Sequence, residues 1–395
     1  MAQTSATKER TERGAWTFVL AAFALSRLLF LGAGAIAAVG LPWALPAGDP
    51  VEPPGFLNYW AHWDGAWYSE IAVNGYSSPE RTAFFPLFPM LMRAGTFIGG
   101  GPALWGVTIS LVATVFALYF LYRIAEKMGG ERVARAATLA FAFFPTAFFL
   151  NAVYTEALFV ALAAGSYWAA YVRRDLLLAG VLGAFAALSR NSGVILLVPL
   201  VYEWLRSREE FGWRGLLKLA LVPAGLLAYV GFLWGQFGDP LIFAHAQSAY
   251  WGRELTNPLE TLARAWFDAG RGVPYLLDPA TLFLDQAPRP ALMASGAVNV
   301  AFLILVLALI GAGFPILRPG LSMFAFLAVL LHILTPSPVI PLLGLPRFVL
   351  EAFPLFFVLG YPLSRSRPAL YLYLLFSGAF GVVLTAMFVT WRWVA

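Results

Sequence analysis

The chain has 395 residues, 60% of them hydrophobic and only 12% charged, with a net charge of +5. A soluble domain carries about 25% charged residues; half of that cannot cover a water-exposed body of this size, so a soluble enzyme, a secreted domain and a disordered chain are excluded and a polytopic membrane protein is indicated. There is no cysteine, the histidines are His62, His245 and His332, and the positive charge is nearly all arginine without a long basic run, which argues against disulfides, thiolate or His-rich metal sites and nucleic-acid binding.

A charged start with Lys8, Glu9, Arg10, Glu12 and Arg13 precedes an apolar run over 15–40. The run is too long for a signal-peptide core and lacks a small-residue cleavage site, so it reads as a first span. Further crossings are expected at 101–123, 135–150, 154–172, 176–188, 193–204, 216–237, 291–314, 321–335, 348–362 and 369–390. The fold class is therefore an all-α membrane bundle of about 11 transmembrane helices. The stretch 84–98 is apolar but short, with Pro86, Pro89 and Arg93; it reads as interfacial or re-entrant. With that assignment sixteen Lys and Arg fall on the cytoplasmic side and nine outside, with Arg27 inside the first span, as the positive-inside bias requires. The chain reads as one domain, 1–395, with external segments 41–100 and 238–290.

In the first external segment, Trp60, Trp63, Trp67 and Ile71 recur at spacings of three and four. This predicts the apolar face of a short interfacial helix. Asp64 and Tyr68, four apart, share another face. A carboxylate fixed there is placed to accept a proton from a hydroxyl of a lipid-linked substrate; equally, Asp64 is a plausible helix N-cap. Arg81-Thr82-Ala83-Phe84-Phe85-Pro86-Leu87-Phe88-Pro89 follows, either a bend at the surface or a set of Phe rings offered to a lipid tail. Glu156 opens a helix after Tyr154-Thr155, where it serves as a helix-start charge or as a second carboxylate facing the cavity of Asp64.

Arg190 lies in the polar turn Ser189-Arg190-Asn191-Ser192-Gly193 between two short spans, and polar turns at membrane depth are tolerated only inside protein or along a wet cavity. Arg347, in Pro346-Arg347-Phe348, is the other cationic candidate, functional by its rarity near the membrane or tied to Glu351 in an i,i+4 pair. Arg27 is a buried partner or a phosphate ligand. His245, Gln247, Tyr250, Trp251 and Arg253 cluster in the second external segment, a set suited to sugar or phosphate recognition. No nucleotide-binding or metal motif is present.

The string His62-Trp63-Asp64-Gly65-Ala66-Trp67-Tyr68, followed by Gly75-Tyr76 and Ala83-Phe84-Phe85-Pro86-Leu87-Phe88-Pro89, resembles the PIG-V-like mannosyltransferases, integral-membrane glycosyltransferases of the GT-C class. The resemblance continues through Tyr154-Thr155-Glu156-Ala157-Leu158-Phe159, the Arg190 turn and Arg347-Phe348-Val349-Leu350-Glu351-Ala352-Phe353-Pro354. The chain departs from the family in reading Arg-Asn-Ser-Gly where Arg-Ser-Asn-Gly is commoner. The resemblance implies a polyprenyl- or dolichyl-phosphate sugar donor, with mannose favoured, a lipid or glycan acceptor, inversion at the anomeric carbon and a site on the non-cytoplasmic face. It implies Asp64 as the base and Arg190 and Arg347 as donor-phosphate ligands; His245 and Arg253 join the donor-binding candidates, and His62, Tyr68 and Glu156 the acceptor-side or supporting ones. No metal or other cofactor is expected, because arginines can stabilise the departing phosphate.

Two other readings stand beside it. A lipid or glycolipid flippase would more often show inverted repeats and midplane charges, and no repeat is visible. A non-catalytic membrane scaffold would tolerate loss of Asp64. The excess of Arg over Lys suggests a GC-rich genome and with it a prokaryotic plasma membrane with the site outward; in a eukaryote the expected location is the endoplasmic reticulum membrane.

Overall fold

The computed structural model describes residues 2–44, 55–284 and 289–394, with side chains described from residue 12 onward; 45–54 and 285–288, parts of the two external segments, lie outside the described residues. Secondary structure among the described residues is helical. Helix α1 (Ala2–Gly40) leads to α2 (Asp64–Asn74), α3 (Leu87–Thr96) and the long α4 (Pro102–Ala142). Then come α5 (Glu156–Trp168), α6 (Leu176–Ser189), α7 (Leu197–Arg206) and the short α8 (Arg208–Phe211) and α9 (Arg214–Leu219). The chain continues through α10 (Leu221–Phe237), α11 (Ile242–Trp251), α12 (Pro258–Leu276), α13 (Pro279–Leu284) and α14 (Arg289–Gly313). It closes with α15 (Pro319–Leu334), α16 (Leu345–Phe348), α17 (Pro354–Arg365) and α18 (Arg367–Val389).

Five stretches among the described residues are long and apolar enough to cross a membrane: Glu12–Gly40, Pro102–Ala142, Arg214–Phe237, Arg289–Gly313 and Arg367–Val389. Leu25, Leu28, Ile36 and Val39 of α1 and Leu372, Leu375 and Phe376 of α18 are exposed. Whole strips of large apolar side chains are left uncovered only where lipid is the solvent. The protein is thus a multi-pass integral membrane protein. Helix α3 has ten residues, about 15 Å at the helical rise, too short to cross.

Gly130 breaks α4. Its φ of 81° and ψ of 176° are open to glycine and costly for any other residue, and the chain reverses there. The sequence had suggested separate spans at 101–123 and 135–150; the first limb stays helical past Arg123 and Lys127 up to the break at Gly130. Helix α6 meets α9 and α10 backbone to backbone. A Cβ on Gly180 would lie 2.1 Å from the Lys218 carbonyl oxygen, and one on Gly225 2.2 Å from that of Ala184. This is how short membrane helices gain contact without a hydrophobic drive between them.

The bundle has two distinct ends. At one, Val153 donates its N–H to the Trp60 carbonyl at 2.8 Å, the Tyr154 hydroxyl donates to the His62 carbonyl at 3.1 Å, and the Ser110 hydroxyl donates to the Ala152 carbonyl at 2.7 Å. The N-termini of α2, α4 and α5 are thereby gathered together. At the other, Arg123 pairs with Glu12 at 2.8 Å and Arg318 with the buried Glu203 at 3.0 Å.

Candidate active site

Asp64 is raised at the first end by an unusual backbone. Trp60 belongs to a separate 3-10 turn, Asn58–Trp60, and Trp63 has φ 48° and ψ −112°. A non-glycine residue in that region costs about 1–3 kcal/mol and persists only where its surroundings over-determine it. Here the Trp63 ring is fixed among Phe388, Trp391 and Trp393, with centroids 5.1, 5.6 and 5.5 Å away. The predicted stripe of Trp60, Trp63, Trp67 and Ile71 therefore does not form: α2 begins at Asp64, Trp60 is wholly buried, and Trp67 stacks on Phe84 at 5.7 Å. Asp64 is the first helical residue, and the N-cap position before it is Trp63. Its carboxylate looks outward from the helix start and accepts from Arg347 Nη1 at 2.6 Å.

From there a chain of alternating charges runs inward. Arg347 Nε lies 3.3 Å from Glu156 Oε1, and Arg190 Nη1 lies 3.2 Å from the same oxygen. Arg190 Nη2 lies 3.0 Å from Glu351 Oε1, and Ser192 donates to Glu351 Oε2 at 3.1 Å. Arg190 also donates to the Thr155 hydroxyl at 2.8 Å. The Phe348 ring adjoins both guanidinium groups, its centre 4.6 Å from that of Arg347 and 5.0 Å from that of Arg190. Side-chain exposure is 29% at Asp64, 10% at Arg347 and 18% at Arg190, and only 0–1% at Glu156 and Glu351. Asp64 is thus the member most accessible from outside, and the buried acids hold the arginines in place.

Of the two readings of Arg347, the i,i+4 pair with Glu351 does not form. The helix at Arg347 is four residues long, and beyond it the backbone turns through i+3 hydrogen bonds, Leu350 to Arg347 and Glu351 to Phe348. The i,i+4 geometry is lost; Glu351 meets Arg190, and Arg347 crosses to Asp64 and Glu156.

The remaining candidates divide. Tyr68 is buried beneath the cluster with its hydroxyl 3.5 Å from that of Thr155. Arg253 donates to the carbonyls of Thr335 and Leu343 at 3.0 and 3.2 Å, within electrostatic reach of Asp64, Arg190 and Arg347. His245 stays outside the cluster: it is exposed and pairs with Asp239 at 2.7 Å. His62 is buried, stacked on Trp391 at 4.1 Å, with Nδ1 3.1 Å from the Phe388 carbonyl oxygen. Burial lowers its pKa to about 4 against the opposing effect of that hydrogen bond, so it is a neutral packing group. Arg27 spends its donors on protein, at 2.8 Å to both the Ala147 carbonyl and Asn151 Oδ1 and 3.1 Å to the Ala142 carbonyl. Phe84, Phe85 and Phe88 are buried and face Tyr68 and Tyr229, not lipid. Sequence reasoning passed over Ser192 and Thr155 and left Glu351 as a local partner; their signal was adjacency to Arg190 and Glu156 in polar turns.

Residues 79–234 match the family model described as dolichyl-phosphate-mannose-protein mannosyltransferase. GPI mannosyltransferase 2 from Schizosaccharomyces pombe is 25% identical over 219 residues, 49% of this chain and 47% of that protein. GPI mannosyltransferase 2 from Cryptococcus neoformans var. neoformans is 29% identical over 202 residues, 47% of this chain and 46% of that protein. The aligned stretch spans about half the length of these relatives. Among solved structures, ArnT from Cupriavidus metallidurans bound to undecaprenyl phosphate superposes with a TM-score of 0.54 at 14% identity, covering 93% of this chain and 63% of ArnT. The chain is a distant homologue of GPI mannosyltransferase 2 with a GT-C-like fold.

Proposed function

We propose that the protein is a glycosyltransferase that moves a sugar, mannose in the favoured case, from a polyprenyl-phosphate carrier to a hydroxyl of a lipid or glycan acceptor on the non-cytoplasmic face, with inversion. The observation that carries this reading is the linked set of Asp64, Arg347, Glu156, Arg190 and Glu351, whose solvent-accessible end is a carboxylate bonded to an arginine. The similarity to GPI mannosyltransferase 2 and the undecaprenyl phosphate held by ArnT support the donor class.

In this reading the acceptor oxygen attacks the anomeric carbon while Asp64 takes its proton. The bond from that carbon to the phosphate oxygen breaks, and the carrier phosphate leaves with the electron pair. The three acids Asp64, Glu156 and Glu351 face Arg347, Arg190 and, nearby, Arg253. Protonation of Asp64 removes one negative charge and frees Arg347 Nη1 as the phosphate gains charge. Proton transfer thus strengthens the cationic side of the site when the transition state needs it, in a poorly hydrated place where such charge acts strongly. The chemistry asks for no metal. A flippase reading expects charges near the midplane, whereas this cluster sits at one end of the bundle.

The test supplies radiolabelled polyprenyl-phosphate-mannose to membranes holding the wild type or Asp64→Asn. Label entering a lipid or glycan fraction with the wild type alone supports the reading. Equal transfer by the variant removes Asp64 from the chemistry, and no transfer by either protein from any polyprenyl-phosphate sugar overturns the donor class.

A further inference from the structure

At the end of the bundle away from Asp64, a cavity of about 520 Å³ is lined by Arg132, Arg135, Arg365 and Arg367 together with apolar residues that include Phe18 and Leu370. The four arginines are exposed at the rim of this one hollow and give it a positive field with room for an anion. Among the described residues Arg132, Arg365 and Arg367 have no carboxylate partner; Arg135 alone is paired, with Glu131, and its guanidinium also lies 5.3 Å from the centre of the Phe18 ring. Two helical segments begin at the rim, the second limb of α4 after Gly130 and α18 at Arg367, and their N-terminal dipoles add to the positive field. None of these residues takes part in the Asp64 cluster.

We infer that this cavity is a binding site for the phosphate-bearing head group of an anionic phospholipid. Arginine forks match phosphate oxygens geometrically and cost less to desolvate than ammonium groups. Basic hollows between membrane helices take lipid head groups for this reason. The apolar lining and the exposed strip Leu372, Leu375 and Phe376, continuing along α18 from the same rim, give acyl chains a path that a soluble phosphate would leave bare. The site is independent of the transfer chemistry at the other end.

The experiment uses the detergent-purified full chain, titrated in separate arms with phosphatidylglycerol, phosphatidylcholine and inorganic phosphate. Native mass spectrometry reads lipid retention and a thermal melt reads stabilisation. The wild type should retain phosphatidylglycerol over phosphatidylcholine, and Arg365→Gln/Arg367→Gln should weaken that retention on the order of tenfold. Arg208→Gln/Arg214→Gln, which removes two arginines outside the cavity, should leave retention unchanged. Equal retention by wild type and the cavity variant overturns the proposal, as does stabilisation by inorganic phosphate alone. If the double variant does not fold, Arg132→Gln carries the same comparison.

Discussion

Arg190 and Arg347 share a single carboxylate oxygen, Oε1 of Glu156, at 3.2 and 3.3 Å. Two cations converge on one wholly buried acid, so the spacing between the guanidinium groups is set from within the protein. The outer ends of the two side chains then reach Asp64 and Glu351, one on each flank.

Glu156→Gln should therefore be a stability variant first. It leaves two arginines facing a neutral oxygen, and breaking a buried ion pair costs about 3–5 kcal/mol. A thermal melt in detergent should show the lowest midpoint among single substitutions in the cluster; a midpoint equal to the wild type's would mean that the two arginines do not depend on this anchor.

Asp64→Asn should behave in the opposite way. The amide keeps the shape and an acceptor oxygen for Arg347, so the melt should move little, while transfer from a polyprenyl-phosphate sugar should fall about 10²–10⁴-fold, the range a positioned base supplies. Initial rates at saturating donor would check it.

Gly344→Ala strikes the cluster through the backbone. Gly344 has φ +90°, and an added Cβ would sit 2.9 Å from Cε2 of Phe348 and 3.6 Å from Nη2 of Arg347. Forcing an L side chain into that conformation costs about 1–3 kcal/mol, and the displaced ring adjoins both guanidinium groups. Donor KM should rise more than kcat falls, measured by varying the lipid-linked sugar at fixed acceptor.

His62 gives a pH dependence with a definite sign. Folding lowers its pKa from 6.5 to about 4 through burial. Between those values the unfolded chain binds the extra proton and the folded chain does not. This contribution is complete above pH 6.5 and is lost as the pH falls towards 4. The melting midpoint should drop over that window, and His62→Gln should flatten the drop; parallel curves for the two proteins would exclude the imidazole as its source.

Much of the site was legible in the sequence because membrane burial makes charge rare. Asp64, Glu156, Arg190 and Arg347 stood out against an apolar background, and the structure brings these four side chains together. Their pairing was not legible, because it depends on turns that no periodicity encodes. The helical spacing of Trp60, Trp63, Trp67 and Ile71 failed for the same reason: the positive φ at Trp63 stops the helix short of Trp60. His245 looked suited to recognition by its neighbours in sequence, but six residues away Asp239 occupies it on the surface. Helix α3, too short to cross, was legible from its length and its prolines.

The link from Arg347 to Asp64 joins residues 283 positions apart. A growing chain enters the membrane with Asp64 and Glu156 long before that arginine is synthesised. Until then two acids wait for half their cations, and the nascent protein has a built-in reason to stay loosely assembled at this end. Completion of this charge cluster therefore waits until residue 347 is in place.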